Sequence, residues 1–153
     1  MNEIIRIPKE NRWEYRELLL LADPEEQAVN RYLTDGEMYV LRVGGRDVSE
    51  AVVRMDEGGE CELMNLATAE DVQGRGHASY LVRRLKELYS EKAESMLVGT
   101  SEDGRAFYER LGFKPAFVRK NFFVDHYSEP IIENGKQCID MYCLRADLRE
   151  KEQ

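Results

Sequence analysis

Histidine is scarce in this 153-residue sequence, with His77 and His126 alone, so a multi-histidine metal centre is not expected. Cysteine is scarce too. Cys61, Cys138 and Cys143 are odd in number and form no C-x-x-C pair, which argues against both a disulfide framework and a zinc site. Buried apolar packing is the default reading for all three. No hydrophobic run approaches the length of a membrane span, and the opening residues, with Glu3, Arg6, Lys9 and Glu10, lack a signal-peptide core. A cytoplasmic protein with no membrane partner is expected. Basic charge is outnumbered, with 22 Lys and Arg against 30 Asp and Glu, for a net charge of -8 and an isoelectric point near 4.9. Nucleic acid is a poor partner for such a chain, since phosphate backbones demand a basic face. A cationic substrate suits it better, although an acid excess also serves solubility. Repeats, low-complexity tracts and linkers are missing as well, and a chain of 153 residues builds one core, so residues 1–153 are read as a single domain.

What is present is a regular alternation of strand and helix patterns. Residues 3–7 alternate up to Pro8, as a strand does. Asn11 is placed to cap a helix running to Ala22 with Trp13, Leu18 and Leu21 inward; Asp23-Pro24 opens a second helix, with Asp as N-cap, that reaches about Leu33. Residues 38–43 and 47–55 flank Gly44-Gly45 as a hairpin, and a third strand begins at Cys61, where Cys61, Leu63, Asn65 and Ala67 share one side. Tyr80, Leu81, Leu85, Leu88 and Tyr89 then recur at helical spacing. Residues 95–99 read as a buried strand, 103–111 as a short helix ended by Gly112, and 116–124 and 138–144 as two further strands. The loop between those strands, residues 125–136, is long enough to suspect a functional surface. The pattern is that of a mixed α/β (α+β) fold, a sheet flanked by helices.

Residues 67–80 join the apolar strand to the long helix through Gly74 and Gly76. Neither glycine has a Cβ, so the backbone can turn sharply and a bulky ligand can approach its amides. The helix that follows offers unpaired N–H groups and the positive end of its dipole, a natural seat for phosphate. Gly74-x-Gly76-x-x-Ser79 lacks the third glycine of the Rossmann fingerprint, and no Gly-Lys-Ser/Thr of a P-loop occurs. Gln73-Gly74-Arg75-Gly76-His77-Ala78, read as Q-x-x-G-x-A, resembles the pyrophosphate loop of the GCN5-related N-acetyltransferases, which grip acetyl coenzyme A. A second stretch, Arg105-Ala106-Phe107-Tyr108-Glu109-Arg110-Leu111-Gly112-Phe113, resembles the signature of the same family, a short helix ending in Leu-Gly-Phe.

The resemblance implies a central, mostly antiparallel sheet of about seven strands with about four helices. It implies acetyl-CoA as co-substrate, no metal, and a primary amine of a small molecule or protein as acceptor. Gln73, Gly74, Arg75, Gly76, His77, Ala78 and Ser79 would hold the pyrophosphate. Tyr108 matches the tyrosine that lies near the coenzyme A sulfur and is often the general acid. Many relatives carry asparagine seven residues before that tyrosine; here Ser101 occupies the position, a shorter-reaching cofactor contact. Residues 121–141, with Phe122-Phe123, Tyr127, Glu133-Asn134-Gly135 and Asp140-Met141, resemble the end of an uncharacterised bacterial subset. In one reading Asn134-Gly135 is a turn and Asp140 a structural hydrogen bond; in the other, Asp125, His126, Tyr127 and Glu133 surround the acceptor pocket.

The chemistry constrains further roles. An amine of pKa ~10.4 is almost wholly protonated at neutral pH and needs a base, for which Glu62, on the strand leading to the loop, is the candidate. Free backbone N–H groups at Leu66, Ala67 and Thr68 would serve the oxyanion. The departing thiolate, of thiol pKa ~8.5, would take a proton from Tyr108, whose ordinary pKa is ~10. Direct transfer needs no covalent intermediate, and nothing marks Cys61 as an activated relay. The alternatives are a non-catalytic acyl-CoA sensor and a transferase of longer acyl groups; the assembly is a monomer or a homodimer.

Overall fold

Alternation in the sequence becomes one seven-stranded sheet in the computed structural model, which describes residues 1–149. In chain order the elements are β1 (Asn2–Ile7), a 3-10 helix (Lys9–Tyr15), α1 (Arg16–Ala22), α2 (Glu26–Leu33), β2 (Glu37–Val43), β3 (Arg46–Met55) and β4 (Glu60–Thr68). After a 3-10 turn (Glu70–Val72) come α3 (His77–Tyr89), β5 (Ser95–Thr100), α4 (Arg105–Arg110), β6 (Lys114–Arg119) and α5 (Phe122–Asp125). A two-stranded ribbon, β7 (Ile132–Glu133) and β8 (Lys136–Gln137), precedes β9 (Met141–Asp147). The sheet order is β1-β2-β3-β4-β5-β9-β6, antiparallel throughout except for the parallel pair β4-β5.

Two apolar layers cover the faces of this sheet. Leu81, Val82, Leu85 and Tyr89 of α3 bury against Leu41, Ala51, Val53, Leu63 and Met96. On the other face Leu19 of α1 and Val29, Tyr32 and Leu33 of α2 close over Met38, Val40 and Val52. Buried Arg12 pins this second layer, donating from Nε to Ile7 O (3.2 Å) and from Nη1 to the carbonyls of Leu33 and Gly36 (2.7 Å for Gly36).

Four local readings of the sequence are corrected here. The first helix is split, and its opening part winds as a 3-10 helix, which advances the inward face faster than 100° per residue. Arg12 and Leu19 therefore point inward, while Trp13 and Leu21 are exposed. The second helix starts at Glu26 rather than beside Pro24, because Asp23 is extended and its carboxylate is buried in side-chain bonding instead of capping. Residues 122–124 are helical: Asn121 takes a left-handed φ of 58° and turns the chain out of β6. Finally, a bulge in β4 skips Met64, so Leu63 faces Val53 while Asn65 faces Val52. Leu63 thus packs under α3, whereas Asn65 and Ala67 sit on the α1/α2 face.

Candidate active site

The bulge has a second effect. β4 and β5 pair only from Glu60↔Ser95 to Leu63↔Val98, although β4 runs on to Thr68 and β5 to Thr100. Beyond Leu63 the two strands part, and a cavity of about 700 Å³ opens between them. Leu66, Ala67 and Thr68 form one wall, and Gly99, Thr100 and Ser101 the other.

The glycine loop closes one end. Gly74 (φ 77°) and Gly76 (φ 86°) are left-handed, and a side chain at either would meet open space, so the glycines are required by backbone rather than by crowding. Gly76 is the N-cap of α3 and carries no side chain to satisfy the first N–H groups. Those donors are free for an anion. Gln73 Nε2 donates to Thr68 O (3.1 Å), tying the loop to the end of β4. Arg46 clamps Asp71 through two bonds (2.8 and 2.7 Å) and fixes the 3-10 turn ahead of the loop.

Of the residues expected at the site, Leu66, Ala67, Thr68, Gln73, Gly74, Gly76, His77, Ala78, Ser79, Ser101 and Tyr108 border this one cavity. Arg75 does not border it, nor does Glu62. The Glu62 carboxylate is buried and held between two cations, Arg119 (3.4 Å) and Arg54 (3.7 Å). Its pKa is raised because desolvation outweighs both arginines. Tyr108, from α4, packs its ring edge-on to Phe107 and Phe113, and burial pushes the phenol well above its usual value. The hydroxyl has no hydrogen-bond partner among the described residues. Cys61, by contrast, is buried and its thiol is pushed up to about 12 by desolvation, the opposite of an activated nucleophile. All three cysteines are free.

At the end remote from the loop, the structure adds groups that the sequence did not flag. Asp23 accepts from the hydroxyls of Tyr32 (2.9 Å) and Tyr127 (2.8 Å). Burial raises its pKa, against the pull of those two donors. Asn65 Nδ2 donates to the Tyr32 hydroxyl (2.9 Å) and to Leu19 O (3.1 Å). The 125–136 loop is fastened at both sides of the cavity. Tyr127 reaches Asp23, Ser128 reaches Glu25, Ser101 donates to Glu133 (2.8 Å) and Asn134 to Asp103 (2.9 Å). Tyr127 and Glu133 line the cavity, while Asp125 and His126 are exposed outside it. Asn134-Gly135 is indeed a turn, and Asp140 accepts from the Asn121 N–H (2.8 Å). No cluster of metal-ligating side chains occurs among the described residues.

The cavity thus lies where a parallel strand pair splays open between a glycine-turned helix and a tyrosine-bearing helix. The comparisons give the family. The acetyltransferase (GNAT) domain model matches residues 34–115. The uncharacterized N-acetyltransferase YvbK of Bacillus subtilis (strain 168) is 33% identical over 148 residues, covering 94% of this chain and 96% of the relative. Among solved structures, an IAA acetyltransferase from Bacillus cereus ATCC 14579 is 35% identical with a TM-score of 0.89, covering 96% of this chain and 99% of that one. A GNAT family acetyltransferase from Elizabethkingia anophelis with acetyl-CoA bound is 32% identical, also with a TM-score of 0.89, over 95% and 97% of the two chains. The chain belongs to the GCN5-related N-acetyltransferase family and is an N-acetyltransferase.

Proposed function

We propose that this enzyme transfers the acetyl group of acetyl-CoA directly to a primary amine. The observation that carries the reading is the continuity of the cavity, from the N-terminus of α3, which no side chain caps, past the ends of β4 and β5 that do not pair with each other, to Tyr108 and the Asp23 network. In this reading the α3 amides and the Gln73–Ser79 loop hold the pyrophosphate. The pantetheine arm lies along the open edge of β4, where strand-like hydrogen bonds are free. Alternate N–H groups of β4 turn to β3, and Ala69 N–H donates to Val48 O, so Ala67 N–H is turned that way too; in this reading the N–H groups of Leu66 and Thr68, on the open edge, meet the thioester carbonyl and stabilise the tetrahedral oxyanion. Tyr108, protonated throughout the neutral range, gives its proton to the leaving thiolate. Ser101 spends its hydroxyl on Glu133, so its part in cofactor binding goes through the 125–136 loop.

The test is a calorimetric titration with acetyl-CoA beside a free-thiol release assay over polyamines, amino acids, aminoglycosides and basic peptides. Binding with amine-dependent thiol release is expected. Binding without release on any amine would favour a sensor of acyl-CoA, and an absence of binding would remove the loop assignment.

A further inference from the structure

We infer that Glu50 and Asn65 form a buried ammonium seat, and that the acceptor is a primary alkylammonium ion whose head group enters it. This rests on the transferase reading above and narrows its acceptor. Glu50, on β3, stands directly across from Ala67, and Asn65 across from Val52, so the two polar residues are diagonal neighbours on one face. The bulge at Met64 brings them together; without it Asn65 would lie on the other side of the sheet. Glu50 is 0% exposed and Asn65 4%.

Both carboxylate oxygens of Glu50 and the Oδ1 of Asn65 have no hydrogen-bond partner among the described residues. Three buried acceptors without a donor are a large exception to the rule that interior polar groups are paired. Three arginines of the sheet and its cover are engaged elsewhere, and Arg105, on α4, lies over the Tyr142 ring. Arg54 and Arg119 hold Glu62, and Arg12 is spent on three carbonyls and Glu37. The Asn65 amide nitrogen is already used by Leu19 O and Tyr32. A primary ammonium carries three N–H donors, one positive charge and no acceptor, which is the complement of this set. A water molecule brings two donors and no charge, leaving one acceptor and the carboxylate unmet.

The surroundings point the same way. Asn65 and Ala67 line the cavity, and Glu50, which does not border it, stands directly across from Ala67. Asp23 and Glu133 line the same cavity, and Asp23 is linked to Asn65 through the Tyr32 hydroxyl. The one arginine of the lining, Arg110, comes from α4. An amine with a carboxylate on its own α-carbon would bring a negative charge among Glu50, Asp23 and Glu133. An unbranched alkylammonium, from a free alkylamine or a lysine side chain, would not. The seated ammonium gives one proton to the Glu50 carboxylate. The freed lone pair forms the C–N bond and the carbonyl becomes the tetrahedral oxyanion; its collapse breaks the C–S bond, the thiolate takes a proton from Tyr108, and Tyr108 regains one from the acetylated nitrogen. The Glu50 proton then passes to solvent.

Calorimetry of n-butylammonium chloride on the CoA-loaded protein tests the seat, with 1-butanol as the uncharged comparison and Glu50→Gln as the variant. Saturable ammonium binding, weakened at least tenfold in Glu50→Gln with CoA affinity unchanged, is expected; butanol should bind neither form measurably. Equal affinity in the two proteins, equal binding of butanol, or no ammonium binding by the wild type overturns the seat. Glu50→Met, of similar volume and without the charge, replaces the amide variant should that fail to fold. Thiol release with n-butylamine and with a terminally blocked lysine then separates the two sources of the head group. Release with other amines alone overturns the seat and leaves the transferase reading standing. Charge-dependent binding with no release on any amine upholds the seat and removes the transferase reading.

Discussion

Tyr108→Phe removes one oxygen from the cavity wall and little else. The ring sits 4.9 Å from Phe107 and 5.6 Å from Phe113, centroid to centroid, both edge-on, and a phenylalanine keeps these contacts. With no hydrogen-bond partner among the described residues, the hydroxyl takes no internal bond with it. Stability should therefore change by no more than ~0.5 kcal/mol, a Tm shift of about 1–2 °C for a chain of this size. Turnover should respond very differently. A positioned general acid contributes about 10²–10⁴-fold, or ~2.7–5.4 kcal/mol of barrier at ~1.36 kcal/mol per decade. The expected variant thus binds acetyl-CoA as the wild type does and loses at least about a hundredfold in kcat. Burial raises the phenol, so the acid form persists through the neutral range and past its ordinary ~10. Any alkaline loss of wild-type kcat below about pH 9 must then come from another group. Single-turnover thiol release, with chemistry isolated from product departure, is the decisive assay. A rate within about threefold of the wild type would refute the acid role and leave Tyr108 as packing.

Three more perturbations have definite outcomes. Gly76→Asp should cut acetyl-CoA affinity at least about a hundredfold, since it sets a negative charge at the α3 N-terminus; Gly76→Ala, which bears the left-handed strain of ~1–2 kcal/mol without the charge, is the control, and equal affinity in all three by calorimetry would remove the loop assignment. Arg12→Met strips donors from the carbonyls of Ile7, Leu33 and Gly36 and should cost ~3–5 kcal/mol, read as a fall in the urea midpoint; a change below about 1 kcal/mol would mean those carbonyls find water. Desolvation raises the Glu50 carboxyl well above the usual carboxylate range, so in the ligand-free protein its contribution favours folding below about pH 4.3 and is lost as pH rises through the folded value. Wild-type Tm should therefore fall relative to Glu50→Gln as pH climbs from about 4.5, whereas parallel curves would mean that the buried charge carries no penalty.

Much of the fold is legible in the sequence because its elements are locally over-determined. The Gly44-Gly45 hairpin, the glycine turn into α3 and the Leu81-Leu85-Tyr89 stripe each combine a period with a stop signal, and all three stand as read. The misreadings arise where tertiary contact overrides a local cue. Asp23-Pro24 has the form of a helix start, but two phenols compete for the Asp23 carboxylate, one of them from 104 residues downstream. The Phe122-Phe123-Val124 run has strand propensity, yet it coils after the left-handed turn at Asn121. The polar cluster around Asp23 and Asn65 is hidden from the sequence for the same reason. A glutamate at position 50 in an alternating strand reads as the solvent side, and only the α1–α2 layer over β3 turns it into a buried, unpartnered carboxylate.

One extra residue in β4 links these features. A strand that kept strict register past Leu63 could go on pairing with β5, satisfy every backbone group on that edge, and leave no cavity. Met64 breaks the register toward β3, β4 parts from β5 at the same residue, and the β5-facing edge gives up its backbone pairing from there to Thr68 while β4 stays paired with β3. Unpaired backbone in an interior is costly unless something else pairs with it. An extended ligand arm with amide groups of its own can do so, and its reactive end would then sit where the strands diverge. The same bulge turns Asn65 and Ala67 onto the face that holds Glu50, Tyr32 and Asp23. A single insertion thus joins the open edge of β4 to the polar cluster of Asp23, Tyr32, Glu50 and Asn65, and on the proposed reading the two substrates meet where the strands part.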